Sequence, residues 1–146
     1  MNESLMLSEE FYSFLTGKVS TAISRRLQRN LKVVKLNITS EQWTILYHLW
    51  HEEGLTQQEL ANLTFRDKPS ITRLINNLEK MGLVIRVNDK QDRRSNLIYL
   101  TKEGRKLREE GMKQAAATLK QAMDGVEETD LITAQQILDK IFHNLK

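Results

Sequence analysis

Three basic side chains lie close together in the segment DKQDRRSN, at Lys90, Arg93 and Arg94. An arginine guanidinium presents its N–H donors as a planar fork, which matches the oxygens of a phosphate and the acceptors on a base edge. The residues on both sides, 84–87 and 97–100, are rich in β-branched and aromatic types that favour strands. The pattern predicts a β-hairpin with a cationic tip. An ordinary solvated turn has the same composition, so the rest of the chain must decide.

The positive charge of the chain is concentrated in its middle. The 146 residues have a net charge of +3, with 22 Lys and Arg against 19 Asp and Glu. Residues 63–108 hold twelve Lys or Arg against five Asp or Glu, a net of +7, whereas residues 1–62 sum to −1 and residues 109–146 to −3. Such a block favours a polyanion partner, and nucleic acid is the commonest one. Chance clustering on a helix-rich surface is the alternative.

Apolar residues at three- and four-residue spacing predict a mainly helical chain. One long amphipathic first helix is expected over residues 7–34. Five more helices and the hairpin follow, and capping or helix-ending residues mark their limits. These residues are Thr39 or Ser40, Gly54, Thr56, Asp67, Gly82, Thr101 and Gly125.

Two short helices joined by a tight turn and followed by a two-stranded ribbon form a winged helix-turn-helix. The long helices outside this unit have apolar stripes that it cannot cover, so we expect them to cover each other across a two-fold axis. The predicted fold is therefore mainly α with a small β-hairpin wing. Its winged helix-turn-helix domain (37–104) is flanked by an N-terminal dimerisation helix (1–36) and C-terminal dimerisation helices (105–146). The expected dimerisation residues are Phe11, Leu15, Leu138, Ile141 and Leu145.

The helix that follows Asp67 has two chemically different faces. An apolar face, expected to pack inward, contains Ile71, Leu74, Ile75, Leu78 and Met81. The opposite face contains Pro69, Thr72, Arg73, Asn76 and Lys80. In a major groove Arg donates to guanine, Asn pairs with adenine, and Pro and Thr contact thymine methyl groups. Lys68 and Ser70 lie at the helix start, where free N–H groups favour phosphate.

The stretch from LTQQELANLT to LTKEGR resembles the core of the MarR family of bacterial winged-helix transcription regulators, and the flanking helices match its dimerisation arms. The most specific likeness is the wing pattern of Asp, two residues, Asp, any residue and Arg, followed by a strand that ends in Leu-Thr before a Gly-containing helix start. The matching positions are Asp89, Asp92, Arg94, Leu100, Thr101 and Gly104. Gln91 stands where the family often has Arg, so one potential phosphate contact is missing.

The resemblance implies a function for the cationic hairpin. The wing would lie along a minor groove with Arg94 inserted, Asp92 would orient that arginine, and Arg93 would contact phosphate. A narrow A·T-rich minor groove attracts a guanidinium because its negative potential is enhanced. The implied protein is a homodimeric, ligand-responsive repressor on a pseudo-palindromic operator in double-stranded DNA. The alternative is a winged-helix protein-interaction module without specific DNA readout, which would present an acidic or apolar recognition face.

Trp43, Tyr47 and Trp50 share one stripe of the second predicted helix and have two interpretations. They are core residues, or they form a ligand pocket between the DNA-binding unit and the dimerisation arms, as the resemblance implies. Such a pocket would take a small aromatic anion. Cations for it would come from Arg25, Arg26 or Arg29.

Catalysis is not expected from this chain. It has no Cys, three His and no glycine-rich phosphate loop, so it lacks a recognisable nucleophile, metal cluster or phosphate cradle. His48 and His51 are close enough to share a metal, but no carboxylate pattern accompanies them, and we expect neither a metal nor a cofactor. There is no apolar run of the roughly 18 residues that a membrane span needs. Because the start MNESLMLSEE also lacks a signal-peptide pattern, we expect a cytoplasmic protein.

Overall fold

The computed structural model describes residues 2–146, which form nine α-helices, one π-helical turn and a three-stranded antiparallel sheet. In chain order these are α1 (Glu3–Met6), α2 (Glu9–Ser13), the π-helical turn (Phe14–Lys18), α3 (Val19–Val33), α4 (Ser40–His51), β1 (Leu55–Thr56), α5 (Gln57–Thr64), α6 (Lys68–Lys80), β2 (Val84–Asn88), β3 (Asn96–Leu100), α7 (Lys102–Lys106), α8 (Arg108–Ala122) and α9 (Glu128–Leu145). The predicted fold class, mainly α with a β-hairpin wing, is confirmed.

The prediction of one continuous first helix is wrong. A new helix, α2, starts after Ser8, whose side chain accepts a hydrogen bond from the N–H of Phe11 at 3.3 Å. Non-helical backbone at Gly17 (φ 165°, ψ −12°) then separates α2 from α3. The apolar spacing continues through both breaks, because side-chain periodicity does not record a local change in backbone direction.

The helix starts in the central unit lie at the predicted capping residues. The hydroxyl of Thr39 accepts from the N–H of Gln42, whose side chain accepts in turn from the N–H of Thr39. Thr56 and Glu59 form the same reciprocal capping box at α5. The carboxylate of Asp67 caps α6. These bonds satisfy N–H groups that have no partner inside the helix, and so they fix where each helix begins.

The wing is part of a sheet with strand order β1-β3-β2. The predicted hairpin is confirmed, since β2 pairs antiparallel with β3 from Val84 opposite Leu100 to Asn88 opposite Asn96. The third strand, β1, was not predicted. It pairs with β3 through only residues 55–56, and two residues are too few to show the alternation that marks a strand.

Thr101 joins the foot of the wing to the end of α6. Its hydroxyl donates to the carbonyl of Gly82 at 2.6 Å, and its N–H donates to the carbonyl of Leu83 at 3.0 Å. Gly82 has φ 75°, the left-handed conformation expected of the residue that ends α6. Thr101 thus holds α6 and the wing at a short, defined separation.

One apolar core lies between α3, α4, α5, α6 and the sheet. Its fully buried side chains include Leu31, Ile45, Leu46, Leu49, Leu60, Ile71, Ile75, Leu78, Val84 and Ile98. The apolar face of α6 is buried as predicted, except at Met81, which is 42% exposed. The sulfur of Met81 accepts a hydrogen bond from Nε2 of Gln42 at 3.5 Å.

Two tryptophans join this core to α7 and α8. Trp50 is only 5% exposed, and its Nε1 donates to the carbonyl of Gly104 at 3.0 Å. Nε1 of Trp43 donates to the carbonyl of Gly111 at 3.0 Å, and the two indoles pack edge to face. A Cβ added at Gly111 would lie 2.5 Å from Cη2 of Trp50, so a glycine is needed for this close approach.

The two ends of the chain leave much apolar surface uncovered. None of residues 128–145 is buried, and large side chains of α9 remain exposed. They include Leu131, Ile132, Ile137, Leu138, Phe142 and Leu145. This surface is not that of a bilayer span, since across residues 2–146 the helices are too short or too polar to cross a membrane.

Replacing Trp50 with Leu should destabilise the protein by about 2–4 kcal/mol, because the smaller side chain leaves a cavity and the Gly104 carbonyl loses its donor. Tyr47→Leu, at a half-buried position one turn earlier, should cost about 1 kcal/mol or less. Urea unfolding followed by circular dichroism measures both. If Trp50→Leu and the wild type unfold at the same urea concentration, the side chain of Trp50 does not stabilise the core.

Candidate nucleic-acid interface

The outer face of α6 forms a shallow groove of about 630 Å³. It is lined by Lys68, Pro69, Thr72, Arg73, Asn76, Asn77 and Lys80. Five of the predicted DNA-binding residues, Lys68, Pro69, Thr72, Arg73 and Asn76, therefore lie on one surface. Sequence periodicity missed Asn77, which lies at the edge of the polar face.

Ser70 is engaged at the helix start instead of lining this groove. Its N–H donates to Oδ1 of Asp67 at 2.7 Å, and this hydrogen bond holds the pKa of the Asp67 carboxyl below its usual value. A phosphate at the start of α6 would compete with Asp67 for that N–H. The predicted phosphate contact of Ser70 thus depends on displacing the cap, whereas Lys68 is exposed and can reach a phosphate directly.

The hydroxyl of Thr72 already has two partners. It donates to the carbonyl of Lys68 at 3.0 Å and accepts from Nε2 of Gln57 at 2.9 Å. What Thr72 offers a base is therefore its methyl group, which suits the thymine contact expected of it. Gln57 was not predicted as part of the site, because it lies on α5, 15 residues away in sequence.

Arg73 is largely exposed but lies near an acid. Its Nη2 is 3.9 Å from Oε2 of Glu41, and Nη1 of Arg66 is 3.5 Å from the same oxygen. An exposed ion pair at this separation is worth little in water. Arg73 can therefore leave Glu41 for a guanine or a phosphate at small cost.

Asn76 makes a contact that local sequence does not reveal. Arg86 on β2 donates from Nη2 to Oδ1 of Asn76 at 2.5 Å and from Nη1 to Oε1 of Glu79 at 3.0 Å. Both hydrogen bonds lie within the chain, so the side chain of Arg86 has a structural role in joining β2 to α6.

The tip of the wing is shaped by Asp92. Its Oδ1 accepts from the backbone N–H of Arg94 at 3.0 Å, and its Oδ2 accepts from the hydroxyl of Ser95 at 3.2 Å. Asp92 thus acts on Arg94 through the backbone of the turn. Arg93 and Arg94 are both exposed, so their guanidinium groups are accessible to a groove or a phosphate.

The foot of the wing is fixed by an ion pair that sequence analysis missed. Glu53, just after α4, accepts from Nε and Nη2 of Arg105 on α7 at 3.1 and 2.9 Å and from the N–H of Leu100 at 2.8 Å. The hydrogen bonds from Arg105 are the main reason why the pKa of Glu53 lies below its usual value. These hydrogen bonds join residues about fifty positions apart, so no short sequence pattern could have predicted them.

The predicted ligand-pocket residues have structural contacts. Trp43 and Trp50 bond to α8 and α7 as described above, and Tyr47 stacks on Trp43 with ring centroids 5.1 Å apart. Burial, and then the nearby His51, lower the pKa of His48. Within residues 2–146 no group of three potential ligands could hold a metal ion.

The cations expected near these aromatics line a different cleft, between α3 and α8. It has a volume of about 580 Å³. Its walls carry Lys18, Arg25, Arg26 and Arg29 beside Val19, Ala22, Ile23, Thr118, Gln121, Ala122 and Met123. The combination of cations with apolar side chains suits an anion that has an apolar body.

Four of the predicted dimerisation residues lie together. Phe11, Leu15, Leu138 and Ile141 line a cleft of about 780 Å³ between the N-terminal helices and α9. The fifth, Leu145, lies at the end of α9 and is 83% exposed.

The chain is similar in sequence to known regulators of transcription. Residues 38–95 match the model of the MarR family. The organic hydroperoxide resistance transcriptional regulator of Bacillus subtilis is 34% identical over 93 residues, which cover 62% of this chain and 63% of that protein. The chain spans about half to two thirds of the length of the curated relatives that it matches first.

Two solved structures match over nearly their full length. The transcriptional regulator PA3341 is 32% identical with a TM-score of 0.77, and the match covers 92% of this chain and 97% of that one. A MepR–DNA complex from S. aureus is 28% identical with a TM-score of 0.84, and the match covers 92% and 98% of the two chains.

Arg94→Ala should weaken binding to duplex DNA about tenfold, because it removes the exposed guanidinium at the wing tip. Base preferences read by α6 should persist, since a minor-groove arginine senses groove width. Lys90→Ala, in the same turn, should change affinity less than about threefold. Fluorescence anisotropy at several salt concentrations measures the DNA affinity of each variant. If Arg94→Ala binds DNA as tightly as the wild type at every concentration, the wing does not contact DNA.

Proposed function

We propose that this chain, a member of the MarR family, is a sequence-specific regulator of transcription that binds double-stranded DNA as a homodimer. We propose further that it is a ligand-responsive repressor and that its operator is pseudo-palindromic, because a two-fold dimer presents two equivalent recognition helices. Its place of action is the cytoplasm, where bacterial chromosomal DNA lies.

The observation that carries the proposal is the shared surface of α6 and the wing. The side of α6 that faces away from the core presents three cations, Lys68, Arg73 and Lys80, with amides beside them. The sheet then projects Arg93 and Arg94 from the same unit. A helix of this chemistry suits a major groove, and an adjacent cationic hairpin suits the next minor groove.

A protein-interaction module without DNA readout is the alternative. Such a module would be expected to present an acidic or apolar surface on α6. The residues that line the α6 groove are cationic, amide-bearing or small, and they include no acid. This composition favours a polyanion over a protein partner.

We propose that the dimer forms through both ends of the chain, residues 1–36 and 105–146. The uncovered apolar surface of α9 and the cleft between α9 and the N-terminal helices support it. An exposed apolar surface of this extent marks an interface. A second copy of the chain offers a matching surface by symmetry.

We propose the cleft between α3 and α8 as the effector site, because the aromatic residues of α4 are engaged in core contacts. A small aromatic anion would place its carboxylate among the arginines and its ring against the apolar side chains. A ligand there lies between the dimerisation helices and can favour one separation of the two DNA-binding units over another.

Binding to an operator duplex should weaken steeply as the salt concentration rises. A plot of the logarithm of the association constant against the logarithm of the salt concentration should have a slope of roughly −0.9 per phosphate neutralised. Arg73→Gln should reduce this slope or alter base preference, because Arg73 lies in the α6 groove. Lys113→Gln, an exposed position on α8 outside the interface, is the matched control. Affinity that does not change between about 50 and 200 mM salt would exclude duplex DNA as the partner.

Sedimentation at micromolar concentration should give about twice the chain mass of 17.0 kDa. Leu138→Asp should shift the protein towards monomer or aggregate, because it buries a charge in the proposed interface. Gln136→Asp adds the same charge on the other side of α9 and should leave the dimer intact. A wild-type monomer with full DNA affinity would contradict the architecture.

Benzoate, the simplest aromatic carboxylate, should bind the free protein in a calorimetric titration and should lower its affinity for the operator. The dissociation constants from the two measurements should agree after correction for the linkage between ligand and DNA binding. The double variant Arg26→Gln and Arg29→Gln should lose both responses and keep the dimer, because it removes two cations of the cleft. Lys32→Gln, on α3 but not lining the cleft, should respond like the wild type. An unchanged response in the double variant would place the effector elsewhere.

A further inference from the structure

The side chain of Arg86 connects the wing to the recognition helix. Side chains alternate along a strand, so Arg86 lies on the same face of β2 as the buried Val84, the face that packs towards α6. Its side chain is only 19% exposed. It donates to Asn76 and Glu79, which are three residues apart and therefore neighbours on the surface of α6.

These contacts fix the orientation of the Asn76 amide. A guanidinium has donors and no acceptor, so the atom of Asn76 that it contacts must be the carbonyl oxygen Oδ1. The hydrogen bond is charge-assisted, and such bonds are stronger than those between neutral groups. In this orientation the Nδ2 amino group of Asn76 has no hydrogen-bond partner within residues 2–146 and can donate to another molecule, while Oδ1 keeps one lone pair.

The nearby acid limits what Arg86 itself can do. Nη1 of Arg86 lies 3.0 Å from Oε1 of Glu79, so the positive charge of Arg86 is paired within the chain. A paired and mostly buried guanidinium is a poor phosphate ligand compared with the exposed Lys68 and Arg73. Arg86 therefore acts on DNA through Asn76.

The orientation of Asn76 changes which base it can read. Pairing with adenine uses both ends of the amide, because Oδ1 accepts from N6 and Nδ2 donates to N7. Guanine presents only acceptors, N7 and O6, on its major-groove edge. Oδ1 keeps a second lone pair, but the charge-assisted bond turns it towards Arg86, so a bidentate contact with adenine would have to share or break that bond. Donation from Nδ2 to N7 or O6 of guanine leaves the bond intact, whereas at adenine it would leave the N6 donor without an acceptor.

We propose that Arg86 is a specificity-determining residue, which holds Asn76 as a donor and makes this regulator prefer guanine to adenine at the base pair beneath Asn76. This refines the adenine contact expected of Asn76 from its residue type. It rests on the proposed function, since it concerns how the α6 groove reads duplex DNA.

Selection of binding sites from a randomised duplex library tests the proposal with the full-length protein. The wild type should select guanine over adenine at one position in each half-site, and Asn76→Ala should lose that preference. Arg86→Met keeps the aliphatic stem and removes both hydrogen bonds, so it should shift the position towards adenine about tenfold, the scale of one bidentate base contact. The double variant Arg86→Met and Asn76→Ala should behave like Asn76→Ala alone at that position.

Two further measurements separate this role from others. Glu79→Gln is the matched control, because it leaves the hydrogen bond between Arg86 and Asn76 in place and should keep the guanine preference. The salt slope of Arg86→Met should equal that of the wild type. A slope reduced by about one, with unchanged base preference, would make Arg86 a phosphate contact and overturn the proposal.

NMR of the wild type provides a test that does not depend on any variant folding. The two hydrogen bonds should slow rotation of the Arg86 guanidinium and give resolved Nη proton signals in the free protein. A freely rotating guanidinium would overturn the proposal. A wild type that selects an operator while Arg86→Met keeps its base preference refutes this inference alone, whereas a wild type that binds no duplex refutes the proposed function together with it.

Discussion

Trp50 holds the DNA-binding unit to α7 and α8 through two glycines, since it packs against Gly111 and donates a hydrogen bond to Gly104. A Cβ at Gly111 would lie 2.5 Å from the indole of Trp50, and a Cβ at Gly104 would overlap the carbonyl oxygen of Leu83. The hydrogen bond from Trp50 to Gly104 then fixes the junction between β3 and α7. Because a packed interior transmits displacement, the positions of the wing and of α8 are both set by this contact.

Polar cross-links refine the arrangement that the core establishes. Glu53 and Arg105 attach the foot of the wing to the end of α4, and Arg86 attaches the first wing strand, β2, to Asn76 and Glu79 on α6. Ion pairs with one solvent-exposed partner, here Glu79 and Arg105, contribute only about 0–1 kcal/mol each to stability. Their main effect is orientation, because a guanidinium accepts only one geometry when it bonds to two groups. Within residues 2–146 the arginine side chains at the cationic tip of the wing have no comparable restraint, and in the proposed function these are the groups that adapt to DNA.

The helix α8 connects the proposed DNA-binding and regulatory surfaces. Near the start of α8, the carbonyl of Gly111 accepts a hydrogen bond from the indole N–H of Trp43. Further along α8, the hydroxyl of Thr118 accepts from Asn30 on α3, beside the cationic cleft. In the proposed dimer, a change in the separation of α3 and α8 would move the recognition unit that α8 supports. Rigid-body movements of this kind are a common way to change the spacing of two binding surfaces.

The amino-acid sequence by itself determined the features that depend on neighbouring residues. The caps at Thr39, Thr56 and Asp67, the two faces of α6 and the hairpin are all readable within a few turns of chain. Only the tertiary structure decided which distant side chains meet. The pairing of β1 with β3, the salt bridge between Glu53 and Arg105, and the core contacts of Trp43 and Trp50 join residues 40 to 70 positions apart. Periodicity records which face of a helix or strand a residue occupies, but a partner is chosen by the packing of whole elements, and so these contacts leave no local trace in the sequence.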